Sequence, residues 1–139
     1  MSGGSRVNTL GDDMIYFWIA LGGALGSVAR FACSEWVQSR WSAFPWGTLL
    51  VNVVGSLIIG VLAGMTESGR LSVSINLRQF LMIGVLGGFT TFSSFSLQTL
   101  MLARSGAMLM AALNVLVSVG LCLFAAWLGM VIVLALGRA

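Results

Sequence analysis

The chain has 139 residues, of which 58% are hydrophobic and 8% charged, with a formal charge of +3 and a mean hydropathy of +1.01. A soluble domain carries about 25% charged residues, so this composition excludes one and describes a single-domain integral membrane protein. All seven basic residues are arginines and no run of them could track a phosphate backbone, which excludes nucleic acid as a partner.

Residues 1–13 are polar and glycine-containing, with Arg6, Asp12 and Asp13, and read as a flexible N-terminal tail. Met14 offers a second initiation position. Residues 14–139 then form one all-α transmembrane domain of four helices, about 15–37, 45–65, 77–103 and 107–136. The first apolar run is too long for a signal-peptide core and lacks a small-x-small cleavage site, so it reads as a retained helix. Its Gly22 and Gly26 lie four apart, a spacing that admits a second backbone. Arg30 and Glu35, near its far end, are either interfacial anchors or a charged vestibule.

A connection carrying Arg40 leads to Pro45, which suits the first turn of the second helix. Trp36, Trp41 and Trp46 gather there as an interfacial aromatic belt. On the second helix Gly60 and Gly64 repeat the close-packing pair, while Asn52 and Ser56 share one face. A membrane asparagine is often glue between helices; its amide can also donate two hydrogen bonds to an anion. A polar loop with Glu67 and Arg70 follows, and Arg78 stands near the start of the third helix. The fourth helix, at about 45 Å, exceeds a hydrocarbon core of about 30 Å and must tilt or project. Its Asn114 and Ser118 share a face, as further glue or as a polar track. Cys33 and Cys122 are isolated thiols in apolar stretches, small buried hydrophobes rather than a disulfide framework or metal site.

The rest of the chain is arranged around Gly87-Gly88-Phe89-Thr90-Thr91-Phe92-Ser93-Ser94-Phe95-Ser96, in the middle of the third span. Two glycines followed by β-branched and hydroxyl residues continue a helix poorly, so the spacing predicts a break in mid-membrane. A broken backbone in hydrocarbon must find partners in protein or in a wet cavity. Freed carbonyls there suit cations, and half-helix N-termini suit anions. The glycines are expected to supply the unusual dihedrals of the break.

Gly-Gly-Phe-Thr-Thr-Phe-Ser-Ser-Phe resembles the G-G-x-T-T-F-S-x-F signature of the CrcB/Fluc fluoride channels. Gly22 to Arg30 resembles that family's first-helix motif and Pro45 to Asn52 its second-helix motif, in the same order and at similar spacing. The resemblance implies a passive fluoride-selective channel in the bacterial inner membrane, built as a dual-topology dimer with two ion pathways. It implies that Asn52 faces the pore, that Phe92 and Phe95 face the fluoride path, and that Arg30 adds positive charge near its entrance. It further implies a structural sodium at the dimer centre, held by backbone carbonyls at Gly87 and Thr90.

The arginines bear on assembly independently. Four spans place Arg6, Arg70, Arg78 and Arg138 on one side and Arg30, Arg40 and Arg104 on the other. That balance gives almost no orientation bias, so an antiparallel homodimer follows as an expectation. Fluoride is small and strongly hydrated, and a selective site must replace its water with neutral donors that also let it leave. Asn52, Thr91, Ser93, Asn114 and Ser118 are such donors, and the positive edges of the Phe92 and Phe95 rings can add to them. No histidine, paired carboxylate or activated nucleophile supports an enzyme. A small proton-coupled multidrug exporter would need a carboxylate near mid-membrane, whereas Asp12, Asp13, Glu35 and Glu67 all fall at ends or loops. A non-transporting assembly subunit would account for the glycines but not for the break.

Overall fold

The computed structural model describes residues 9–71 and 73–137. These form α1 (Thr9–Gln38), α2 (Trp46–Glu67), α3 (Ile75–Gln79), a π-helical turn (Phe80–Val85), α4 (Leu86–Phe89), α5 (Phe92–Arg104) and α6 (Met108–Leu136). Four stretches are long and apolar enough to cross a membrane: Met14–Gln38, Trp46–Glu67, Ile75–Arg104 and Met108–Leu136. The chain is a multi-pass membrane protein. Thr9 to Asp13 belong to α1, so the helix begins inside the segment read as a tail, and residues 1–8 lie outside the described residues.

Glycine decides which helices touch. At Gly22 an added Cβ would lie 2.6 Å from the Phe80 carbonyl, and at Gly26 it would collide with that of Val85. Side chains are missing where α1 meets the π-helical turn, so the two backbones run in contact. The second pairing joins α2 and α6 in parallel, where a Cβ at Gly60 would strike the Ala126 carbonyl and one at Gly129 that of Leu57. With no hydrophobic drive between helices in lipid, such close van der Waals contact is a main source of association. The glycine pairs read from sequence are therefore packing surfaces.

The turns are conventional. Gly69 and Gly106 adopt positive φ values of 70° and 84°, a region glycine enters without strain. Arg70 reaches back to the end of α6, with Nη2 2.9 Å from the Leu136 carbonyl. A cation on terminal carbonyls satisfies acceptors that have no helical partner and opposes the negative end of the dipole. Cys33 is exposed on α1, not buried as expected of a small hydrophobe, because its side of the helix has no neighbour within the chain.

Candidate functional site

The third span breaks at Thr90 and Thr91, not at the glycines. Both threonines are extended, with φ/ψ of −87°/156° and −150°/111°. Gly87 and Gly88 remain helical, and neither has a positive φ. The expectation that glycine supplies the unusual dihedrals is thus corrected. Gly88 is small for a different reason: a Cβ there would lie 2.5 Å from the Gly23 carbonyl of α1.

A side chain 39 positions away holds the break open. The Thr91 N–H donates to Asn52 Oδ1 at 2.7 Å, and Asn52 Nδ2 donates to the Thr91 carbonyl at 3.1 Å. The Asn52 amide thereby acts as a short piece of neighbouring strand, satisfying both polar groups of one extended residue. Gly55, one turn along α2, leaves the space that the Thr90 methyl fills. Thr90 donates its hydroxyl to the Leu86 carbonyl at 3.0 Å. Thr91 Oγ1 accepts the Ser94 amide at 3.1 Å and lies 3.0 Å from Ser94 Oγ and 3.2 Å from Ser93 Oγ. It is the N-cap of α5.

Two helix ends of opposite sign consequently meet at one point. The end of α4 turns carbonyls toward the break: Thr91 has given its N–H to Asn52 instead of Gly87, and the Thr90 carbonyl accepts no hydrogen bond among the described residues. The start of α5 turns amides toward it. Hard cations take carbonyl oxygens and anions take helix N-termini, so the break has the chemistry for each.

A cavity of about 320 Å³ opens beside it. Asn52, Thr91, Phe92, Phe95 and Ser118 line it, as do Gly87 and Thr90. No ionisable carboxylate or base does; its polar groups are amide, hydroxyl and backbone, and Cys122 contributes a thiol. Phe92 and Phe95 stand 5.3 Å apart at 48°. Phe95 is buried, whereas Phe92 is 77% exposed at the mouth.

Three residues singled out from sequence do not line the cavity. Ser93 is exposed and touches it only through Thr91. Asn114 is 2% exposed and donates to Thr99 Oγ1 at 2.7 Å, tying α6 to α5, while its Oδ1 lies 3.4 Å from Ser118 Oγ. Arg30 is half-buried on α1, one turn beyond Gly26 on the same face. Sequence reasoning missed Gly55 and Thr99. The signal for Gly55 was its place one turn after Asn52; Thr99, a polar residue inside a span, carried the same mark as the residues that were chosen.

The sequence has relatives. Residues 17–130 match the family described as CrcB-like protein, Camphor Resistance (CrcB). A protein of Opitutus terrae named fluoride-specific ion channel FluC is 60% identical over 117 residues, covering 83% of this chain and 89% of its own. Proteins of the same name from Methylocella silvestris and Rhodospirillum rubrum are 50% and 51% identical, covering 90% and 84% of this chain and 97% and 92% of theirs. With a match across most of its length and relatives this similar, the chain belongs to the CrcB-like family.

Proposed function

We propose that the chain is a passive fluoride-selective channel of the bacterial inner membrane, working as an antiparallel dual-topology homodimer with two pores. The observation that carries this reading is the cavity at the break, which joins neutral donors and aromatic edges and contains no titrating carboxylate. Its chemistry suits a small anion: the second Asn52 N–H supplies a donor, Ser118 supplies another once its hydroxyl turns from Asn114 Oδ1 to the cavity, the α5 N-terminus supplies positive potential, and the Phe92 and Phe95 edges supply more. None carries a full charge, so an ion that enters can also leave. The relatives' name points to the same ion. Arg30, on the α1 face beyond Gly26, adds a positive field at the entrance. Asn114 and Ser93 act behind the lining, the first fixing Ser118 and the second supporting the Thr91 cap.

A second copy enters for a physical reason. Phe92 and Gly87 are exposed in a single chain, and a pore needs walls on every side. A structural sodium fits the break in donor type, since the Gly87 and Thr90 carbonyls are hard oxygen ligands at the negative end of α4. One chain offers too few of them for a full shell, and the two copies together would share the ion. Bound there, it supplies only positive charge that holds the halves together.

The test is voltage-driven efflux from liposomes containing the purified protein, loaded with fluoride or chloride and followed by ion-selective electrodes after a potassium ionophore is added. Fast fluoride release with little chloride release is expected. Retention of both ions by vesicles that contain folded dimer would overturn the reading.

A further inference from the structure

A second cavity lies apart from the break, where α1, α2 and α6 meet, with a volume of about 550 Å³. That is within the range of pockets that bury small ligands. Trp36, Trp41 and Trp46 surround its outer end, and Leu49, Val53 and Leu121 continue it inward. Val53 stands seven residues into α2, about 10 Å along its axis. The groove therefore runs lengthwise from the aromatic belt toward the middle of the span.

The outer end is held in place. Gln38 Nε2 donates to the Trp41 and Phe44 carbonyls, at 3.1 Å each, and its Oε1 accepts the Gly47 amide at 3.3 Å. One side chain thus ties α1, the connection and α2 together. Phe44 packs on Trp46 at 4.8 Å. The tryptophans are exposed, yet their backbone is fixed.

Arg40 reaches the rim through Trp36. Its guanidinium lies 4.1 Å over the Trp36 ring and donates from Nη1 to the Trp36 carbonyl at 2.6 Å. No carboxylate pairs with it among the described residues, although Glu35 is nearby in sequence. Its remaining N–H groups are free to make the forked contact that suits a phosphate. A stacked, unpaired arginine on a tryptophan that lines an apolar slot, in a chain built to lie in lipid, has charge and shape for one occupant.

We propose that this groove is a binding site for an anionic phospholipid, with one acyl chain against Leu49, Val53 and Leu121 and the phosphodiester on Arg40. A zwitterionic headgroup shares the phosphodiester but brings an ammonium that the Arg40 guanidinium repels, so net negative charge sets the preference. The site is separate from the cavity at the break, and its failure would leave the channel reading untouched.

The experiment uses tryptophan quenching. Trp18→Phe and Trp127→Phe together leave Trp36, Trp41 and Trp46 as the only tryptophans. Reconstituted in phosphatidylcholine, this protein is titrated with phosphatidylglycerol or phosphatidylcholine brominated in mid-chain. Quenching by the anionic lipid should reach half its maximum at a mole fraction about fivefold lower, the preference one interfacial arginine supplies. Arg40→Gln should abolish the difference and Glu35→Gln keep it. Val53→Phe, which fills the slot and leaves Arg40 in place, should weaken quenching by both lipids. Equal quenching by the two headgroups, or stronger quenching by phosphatidylcholine, would overturn the proposal. So would quenching that rises only as the protein is diluted in the bilayer, since a second copy would then be covering the groove.

Discussion

Asn52 acts on two levels that a single substitution will move together. Its amide satisfies Thr91 on both sides and still presents a donor to the cavity. Asn52→Ala leaves a buried N–H and C=O unpaired, at a cost of about 1–3 kcal/mol each when no water reaches them. We expect thermal stability of the purified protein to fall and fluoride efflux to drop about tenfold or more. Unchanged efflux would make Asn52 a packing residue only. The two phenylalanines separate what Asn52 combines. Phe95 is buried and Phe92 is 77% exposed, so Phe95→Ile should cost about 1 kcal/mol of stability while Phe92→Ile costs almost none. Both should slow fluoride release by roughly tenfold, equivalent to about 1.4 kcal/mol on the barrier, if the ring edges face the ion. Wild-type flux in both variants would remove the rings from the pathway.

Among the helices, the contrast is between what periodicity reveals and what only a partner decides. The four spans were legible because each is an apolar run ended by arginine, proline, glycine or polar turns, and hydrocarbon allows few alternatives to a helix. The glycine pairs were legible for the same reason, since nothing else explains small residues at fourfold spacing. The site of the break was legible only within a few residues. Glycine has the weaker propensity, yet Gly87 and Gly88 stay helical: α1 packs against Gly88, and the chain turns where Asn52 can take up Thr91. No local signal encodes a contact 39 residues distant. The π-helical turn at Phe80–Val85 was likewise invisible, because an apolar run with one glycine reads the same in an α- as in a π-helix. Element packing yields its own test. Gly129→Leu would drive a side chain into the Leu57 carbonyl and separate α2 from α6. We expect a loss of about 1–3 kcal/mol, the usual cost of overpacking, read as a lower melting temperature in detergent. Ala112→Leu, on an exposed position of α6, should change nothing. Asn114→Ala should cost less, about 0.6–2 kcal/mol for an interhelical hydrogen bond in a membrane, and should also slow efflux if Ser118 depends on it for position.

At the scale of the whole molecule, the weak orientation bias becomes a lever. Arg70 and Arg78 lie at one end of the bundle, with Arg40 and Arg104 at the other, and Arg30 lies farther inside α1; Arg6 and Arg138 fall outside the described residues. Orientation follows the count of arginines in short loops, while acidic residues contribute little. Two more on one side should therefore decide it. Ser42→Arg with Ser105→Arg loads the end that carries Arg40 and Arg104, and every copy should insert with that end in the cytoplasm. Glu67→Arg with Ser68→Arg loads the other end and should produce the opposite orientation. If the working unit pairs two copies in opposite senses, each variant made alone has no partner to complete its pore. Fluoride efflux from cells producing either one should then fall at least tenfold, with the protein still present in the membrane. Producing both together should restore it, because each supplies the orientation the other lacks. A parallel dimer predicts the reverse pattern: one biased variant would be fully active alone, and mixing would add nothing. Since the substituted residues lie at helix ends and in connections away from Asn52, Phe92, Phe95 and Ser118, recovery on mixing also separates lost pairing from damage to the pathway itself.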